Sequence, residues 1–207
     1  MTRANMQLTD YDAEGLPHDD DLEKMAAPLS TLLTQELDGA AEVLGVSRDE
    51  ILVAALGRAI QRTIGDGAVA VDVPGFGTCV HPMTLKCAGP DRISADEMLA
   101  DVHHAMNETA LQHTVHGVSD AQRAQALADV LFAYGDAATS RGHLGHVLEV
   151  RAYSTGDALA LDWWFDSRGF EEYTVQELAE QFPLALIELT SEATPPVPAT
   201  AELALAR

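Results

Sequence analysis

The chain has 207 residues, 47% of them hydrophobic and 22% charged, which is enough apolar material for one domain with a sizeable core. Its 33 acidic and 12 basic residues give a formal net charge of −21. A field of that sign repels phosphate backbones and anionic lipids, which disfavours nucleic acids and membrane surfaces as partners. No apolar run is long enough to cross a bilayer and the N-terminus lacks a signal peptide's apolar stretch, so we expect a cytoplasmic protein.

Both ends of the chain are predicted to lie outside the compact domain. Residues 1–27 are crowded with acidic side chains and lack periodicity, so we expect a flexible leader that is mobile or ordered only against something else. Residues 191–207 form a Pro/Ala-rich tail that contains the string ATPPVPAT, which is typical of a stiff polyproline-like spacer. The predicted domain therefore spans residues 28–190.

Four helices are predicted from apolar periodicity and capping signals. Three of them begin at a capping box, in which a serine or threonine and a glutamate three residues later each satisfy a free backbone N–H group. In chain order the helices are Thr34–Leu44, Ser47–Ile64, one from Ser94 to about Asn107, and one from Thr174 to about Leu189.

Five strands are predicted between these helices, from alternating apolar and polar residues. They are Val69–Val73, Val80–Cys87, Asp129–Tyr134, Leu144–Tyr153 and Ala158–Phe165. Pro82 suits an edge strand or a bend, because proline cannot donate a hydrogen bond to a neighbouring strand. A further short strand is predicted near Pro28–Leu33. The order of elements indicates an α/β two-layer sandwich, in which helices cover a mixed β-sheet.

Alternation also predicts that the face of the sheet away from the helices is polar. The residues assigned to it are Asp72, Lys86, Glu149, Arg151, Asp162 and Trp164. Such a face tolerates water or a polar partner surface, and an aromatic side chain within it is typical of a contact surface. We therefore select Trp164, Asp162, Arg151 and Glu149 as a candidate interface. Burial of Trp164 under another part of the chain is the alternative.

Three strings in this order resemble a known family. ILVAALGRAI at 51–60, continued by RTIGDGAVAVDVPGFG, resembles the long helix and following strand in the C-terminal lobe of nonribosomal peptide synthetase condensation domains. DVLFAYG at 129–135 and ALALDWWFDSRGFEEYTVQELAEQFPLALIEL at 158–189 resemble later elements of that lobe. The resemblance covers residues 28–190. It implies half of the two-lobe fold of the chloramphenicol acetyltransferase-like superfamily.

The chain departs from that family where the family carries its chemistry. The family's catalytic signature is a pair of histidines followed three residues later by aspartate and glycine, and it belongs to the N-terminal lobe, which we expect to be absent here. His103-His104 imitates the signature, but Glu108 and Thr109 replace the aspartate and glycine, and the pair falls inside a predicted helix. We interpret it as a coincidence. The connection after Gly77 is also too short to cross to a second lobe.

Other candidate sites are weaker. Two histidine pairs have metal-ligand spacing, His113 with His116 and His143 with His146, but no third ligand is placed beside either, so we expect no metal and no cofactor. Asp162 and Asp166 would lie about 13 Å apart along a strand, too far for a glycosidase pair. Cys79 and Cys87 are predicted to be free thiols.

Three hypotheses for function follow. The first is a non-catalytic half-domain that associates with a nonribosomal peptide synthetase or polyketide synthase chain, or with a second copy of itself. The second is one half of a split acyltransferase or condensation enzyme, whose histidine motif lies on another chain. The third is a small-molecule binding module that uses a cleft beside the sheet.

Overall fold

The computed structural model of the protein describes residues 4–74, 80–115, 128–139 and 145–195. The described chain forms a short 3₁₀ turn at Asp19–Asp21, six strands and five helices. In chain order the strands and helices are β1 (Leu22–Ala26), α1 (Thr31–Leu44), α2 (Arg48–Thr63), β2 (Gly67–Pro74), β3 (Val80–Cys87), α3 (Ala95–Val115), β4 (Val130–Tyr134), α4 (Asp136–Thr139), β5 (Leu148–Thr155), β6 (Ala158–Asp166) and α5 (Glu172–Glu192).

The six strands form one mixed sheet with the order β1-β6-β5-β4-β2-β3. Strand β4 runs parallel to both β2 and β5, and the other neighbouring pairs are antiparallel. The predicted α/β sandwich with a mixed sheet is therefore confirmed. Strand β3, which contains Pro82, lies at one edge of the sheet, as the proline indicated.

The main core lies between the sheet and the long helices. Every residue of α2 from Glu50 to Ile60 is buried, because this helix is covered by the sheet, α3 and α5 together. Gly57 permits that approach, since a Cβ atom at this position would lie 2.8 Å from the carbonyl oxygen of Lys86. The guanidinium of Arg58, which is also buried, forms an ion pair with Glu188 and thereby ties α2 to α5.

Two of the three predicted capping boxes are confirmed. The Ser47 N–H donates to Glu50 Oε2 at 2.8 Å at the start of α2. At the start of α3, the Ser94 N–H donates to Glu97 Oε2 at 3.0 Å and the Glu97 N–H donates to Ser94 Oγ at 3.3 Å. These boxes satisfy backbone groups that a helix end leaves free, so the sequence pattern located both helix starts.

The prediction of a third capping box, at Thr174, is wrong. Helix α5 begins at Glu172, so Thr174 already lies inside it. The cap comes from a distant residue, because Asp10 accepts a hydrogen bond from the Glu171 N–H at 2.9 Å and another from Thr174 Oγ1 at 3.1 Å. A carboxylate at this position satisfies the Glu171 N–H group and interacts favourably with the helix dipole.

The leader differs from the loose segment that we expected. Leu8 is buried in the core, Asn5 exchanges two hydrogen bonds with Ala68 at the start of β2, and the Tyr11 N–H donates to the Gly169 carbonyl. Strand β1 then joins the sheet as its second edge, paired with β6. The described part of the leader is thus ordered against the domain itself, and the boundary predicted at residue 27 does not separate it from the fold.

The short strand predicted near Pro28–Leu33 is also wrong. Helix α1 begins at Thr31, and Ser30 Oγ caps it by accepting a hydrogen bond from the Leu33 N–H at 3.1 Å. The strand lies a few residues earlier, at β1. At the other end of the chain α5 continues to Glu192, and residues 196–207 of the predicted tail lie outside the described residues.

Candidate interface on the polar face of the sheet

The four predicted interface residues lie together on the face of the sheet opposite the main core. Glu149 and Arg151 belong to β5, and Asp162 and Trp164 belong to β6. The register of the antiparallel pair sets Glu149 opposite Trp164 and Arg151 opposite Asp162. Strand alternation therefore places all four side chains on one surface, which we call the polar face.

A row of directly paired residues crosses this face from β2 to β1. The register joins Asp72 on β2 to Leu131 on β4, Leu131 to Glu149, Glu149 to Trp164, and Trp164 to Lys24 on β1. Residues paired in this way have side chains close enough to interact. The row is acidic at the β2 end and carries a lysine at the β1 end.

The Trp164 ring lies between two cations. Lys24 Nζ is 5.4 Å from the ring centroid and Arg151 Cζ is 5.9 Å from it, both within the range of cation–π attraction. Asp162 Oδ2 forms an ion pair with Lys24 Nζ at 2.7 Å and accepts a hydrogen bond from the Tyr153 hydroxyl at 3.0 Å. That hydrogen bond is the main reason why the pKa of Tyr153 is raised. The contacts fix the position of an indole ring that stays partly exposed.

The other end of the row contains a buried cluster of charges. Glu149 is fully buried and accepts a hydrogen bond from Arg151 Nε at 3.1 Å. His146, from the segment before β5, is also buried, with Nε2 2.9 Å from Asp72 Oδ2 and Nδ1 3.4 Å from Glu149 Oε1. Burial alone would lower the pKa of His146, but the hydrogen bonds to Asp72 and Glu149 outweigh it and the pKa is raised.

Only part of the candidate interface is accessible to solvent. The sequence assigned Glu149, Arg151 and Asp162 to a face that tolerates water or a polar partner surface, and in the structure these residues are 0%, 5% and 8% exposed. These charges are buried because each has an oppositely charged partner. The accessible part of the cluster consists of Trp164, which is partly exposed, and the Lys24 side chain, which is 39% exposed.

Sequence reasoning missed two residues of this cluster. Lys24 falls in the segment that we interpreted as a loose leader, and no local signal pairs it with Trp164. His146 was considered only as a metal ligand beside His143, which lies outside the described residues. Its partner Asp72 is 74 positions away in the chain, so only the fold brings the two together.

The other candidate residues belong to separate contacts. Asp166 pairs with Arg168 Nη2 at 2.7 Å, whereas Asp162 pairs with Lys24, so each of the two carboxylates has its own cation. The Cys87 thiol is buried, and burial raises its pKa to about 12. His113 lies within α3, and Cys79 and His116 fall outside the described ranges. In the ranges that are described, no three His, Cys, Asp or Glu side chains are grouped to hold a metal ion.

Comparison with known proteins relates this architecture to synthase sequences and structures. The chain is 30% identical over 223 residues to one of the subunits of the phenolphthiocerol/phthiocerol polyketide synthase of Mycobacterium tuberculosis (strain ATCC 25618 / H37Rv). The match covers 86% of this chain and 15% of that synthase subunit, so the chain spans a small part of the relative's length. No model of a protein family matches the chain.

Two solved structures show the fold. The epimerization domain from the third module of tyrocidine synthetase B superposes with a TM-score of 0.73 at 14% identity, covering 92% of this chain and 52% of that one. The condensation domain from Monacolin K polyketide synthase MokA gives a TM-score of 0.67 at 13% identity, with coverages of 93% and 53%. The chain has a condensation-domain-like fold. It spans about half of each of these solved chains, consistent with the half-domain predicted from the sequence.

Within this condensation-domain-like fold, the paired histidines lie on α3, as predicted. His103 Nδ1 is 2.8 Å from Glu50 Oε1, and His103 Nε2 is 3.0 Å from the Asn107 side-chain amide. His104 Nε2 lies 3.2 Å from Glu108 Oε1, one helical turn away. The His103 ring therefore connects α3 to α2, and the His104 ring makes a contact within α3.

No helix in the portion that the structure describes is long and apolar enough to span a membrane.

Proposed function

We propose that this chain is a non-catalytic, condensation-domain-like half-domain that acts by associating with a chain of a polyketide synthase or nonribosomal peptide synthetase. The observation that carries the proposal is Trp164, an indole ring that is partly exposed on the polar face and held between Lys24 and Arg151. The match to part of a polyketide synthase and the fold shared with synthetase domains support the biosynthetic setting.

The geometry around Trp164 favours a contact surface. Because Lys24 and Arg151 already restrict the ring, the Trp164 side chain would lose little conformational entropy when a partner binds. Tryptophan is enriched among residues that dominate binding energy, since its large ring excludes water while its edge can donate a hydrogen bond. A partner chain that covers Trp164 would also strengthen the ion pair between Lys24 and Asp162 by removing solvent.

The charge of the chain restricts the kind of partner. At a formal net charge of −21, long-range repulsion slows encounters with acidic proteins and attraction speeds encounters with basic ones. We therefore expect the contacting surface of the synthase to be neutral or basic, and we expect association with a basic surface to weaken as salt concentration rises.

The test is quantitative binding of the full chain to the synthase chain that it captures from its host. Trp164→Ala should weaken binding at least tenfold, because it removes the ring at the centre of the surface. Tyr173→Ala is the matched control, since Tyr173 is a 68% exposed aromatic residue on α5, in the helical layer. Equal binding by both variants, each shown to be folded by circular dichroism, would contradict the proposal.

The coverage of the solved domains favours a second candidate. Because the chain corresponds to about half of each of the two solved chains described above, another chain could supply the remaining half and its histidine motif. The complex would then be a split acyltransferase or condensation enzyme.

An acyl-transfer assay of the captured pair separates the candidates. Activity that disappears when this chain is omitted supports the split enzyme, and activity that is unchanged by its omission excludes the split enzyme. Self-association is distinguished by light scattering of the isolated chain.

A further inference from the structure

His146 links two strands that do not pair with each other. Its ring is fully buried, with Nε2 2.9 Å from Asp72 Oδ2 on β2 and Nδ1 3.4 Å from Glu149 Oε1 on β5. Strand β4 lies between β2 and β5 in the sheet and contributes the apolar Leu131 at this row. The imidazole thus contacts one carboxylate on each side of β4. At this row β4 itself contributes only the apolar side chain of Leu131.

The two contacts require a particular protonation state. A neutral imidazole has one N–H group, so it can donate to one carboxylate and must present a lone pair to the other. Each of these carboxylates has another donor, because Arg151 Nε donates to Glu149 Oε2 at 3.1 Å and the Ala128 N–H donates to Asp72 Oδ2 at 3.3 Å. An imidazolium has an N–H group on each ring nitrogen, so it can donate to both carboxylates at once.

Among the residues that the structure describes, the contact lies at the shortest ladder of the sheet. In that part of the chain, strands β2 and β4 are paired at two positions, Val71 with Val130 and Asp72 with Leu131. On either side, β4 is paired with β5 at five positions and β2 with β3 at eight. The β2–β3 hairpin is therefore joined to the remaining strands by few backbone pairs, and the His146 bridge acts at that joint.

We propose that protonated His146 is a pH-sensitive clasp that holds the β2–β3 hairpin to the rest of the sheet and releases it when the ring loses its proton. Within the described ranges, the charged and titratable groups around the ring are Asp72 from β2, Glu149 and Arg151 from β5, and Asp129 immediately before β4. This clasp does not depend on the proposed association through Trp164.

The direction of the pH effect follows from the hydrogen bonds. The pKa of His146 in the folded chain is raised above its ordinary value of 6.5, because the bonds to Asp72 and Glu149 outweigh the opposing effect of burial. The clasp therefore contributes its full stabilisation below pH 6.5 and loses it as the pH rises through the folded pKa. Burial raises the pKa of the neighbouring Asp129 carboxyl, an effect that the charge on His146 reduces.

The first measurement is the NMR spectrum of the imidazole nitrogens in the full wild-type chain. At pH 6 both His146 nitrogens should carry protons, and the titration midpoint should lie above 6.5. A single protonated nitrogen at pH 6 would overturn the proposal. This measurement needs no variant, so it decides the protonation state even if substitutions at His146 fail to fold.

The second measurement is amide hydrogen exchange, corrected for the intrinsic effect of pH. Above pH 6.5 the opening of Val71–Val73 should increase by up to about tenfold per pH unit until the folded pKa is reached, while Ala152–Ser154 in the β5–β6 ladder should not respond. His146→Gln should abolish this pH dependence, and His103→Gln should retain it. An equal response in both ladders, or a response that survives His146→Gln, would overturn the clasp.

Discussion

The two faces of the sheet are made by the same strands, and much of each is buried, but they achieve burial in different ways. On the core face of β6, Leu159, Leu161, Trp163 and Phe165 pack into the hydrophobic core that the helices cover. On the opposite face, Glu149 and Arg151 are just as inaccessible to water, yet they are charged. One face is stabilised by the apolar area that it removes from water, and the other depends on complete pairing of its charges.

This difference predicts different responses to mutation. Truncation on the core face loses packing in proportion to what is removed, whereas truncation on the polar face leaves a partner charge without compensation. Glu149 and Arg151 form a buried ion pair, and the His146 ring contacts both Asp72 and Glu149. Removing one charge of the ion pair therefore costs more than the loss of its own contacts, whereas removing both charges leaves neither without its partner.

The largest effect is expected for Trp163→Ala, on the core face. Trp163 is fully buried and packs edge-on against Phe182, with ring centroids 5.8 Å apart. Its truncation should lower the free energy of unfolding by about 3–5 kcal/mol, from lost burial and the resulting cavity. Urea denaturation measures this change. A loss no greater than that of Trp164→Ala, its sequence neighbour on the other face, would contradict the assignment of faces.

Arg151→Ala should have the next largest effect. It leaves Glu149 fully buried with one fewer cation, and we expect a loss of about 3 kcal/mol in the free energy of unfolding. The double variant Glu149→Gln/Arg151→Met removes both charges and should recover at least half of that loss. If the double variant is as unstable as the sum of its single variants, the pairing of charges does not govern this face.

Asp10→Ala tests the cap that the leader provides. It removes the acceptor of hydrogen bonds from the Glu171 N–H and Thr174 Oγ1, so the free energy of unfolding should fall by about 1–2 kcal/mol. Asp20→Ala is the control, because Asp20 is an exposed acidic residue of the same leader. Equal stability of the two variants in thermal denaturation would show that Asp10 does not cap α5 in solution.

Trp164→Ala should have the smallest effect on folding. It removes two cation–π contacts at a partly exposed position, for an expected loss of about 0.5–1 kcal/mol. The same variant is expected to have a large effect on binding, so stability and association should separate at this residue. Unfolding of Trp164→Ala would show that the ring is a structural element rather than a contact surface.

Local sequence patterns predicted most of the secondary structure. The alternation of β6 assigned Trp163 and Trp164 to opposite faces, and the boxes at Ser47 and Ser94 located two helix starts. Each of these signals acts over a few residues, because side-chain direction and capping are properties of the local backbone. The order of the predicted elements then indicated the two-layer sandwich with a mixed sheet.

The errors concern contacts between distant parts of the chain. The start of α5 was misplaced because its cap, Asp10, is 161 positions away from Glu171. The burial of charges on the polar face was not predicted, since composition alone cannot show that Asp72 contacts His146 or that Lys24 contacts Asp162. Strand β1 was missed because a five-residue edge strand inside an acidic segment carries little pattern of its own.

The pairing of β1 with β6 has a consequence for synthesis of the protein. Leu22–Ala26 leaves the ribosome long before its partners, Asp162–Asp166, have been made. The sheet therefore cannot gain its β1 edge until β6 has emerged, and the Asp10 cap must wait for α5 as well. Contacts of such high sequence separation slow folding and leave a nascent chain with an unpaired strand edge. Pairing of β1 with the edge of the sheet should thus be a late folding step, which follows the synthesis of β6 and α5.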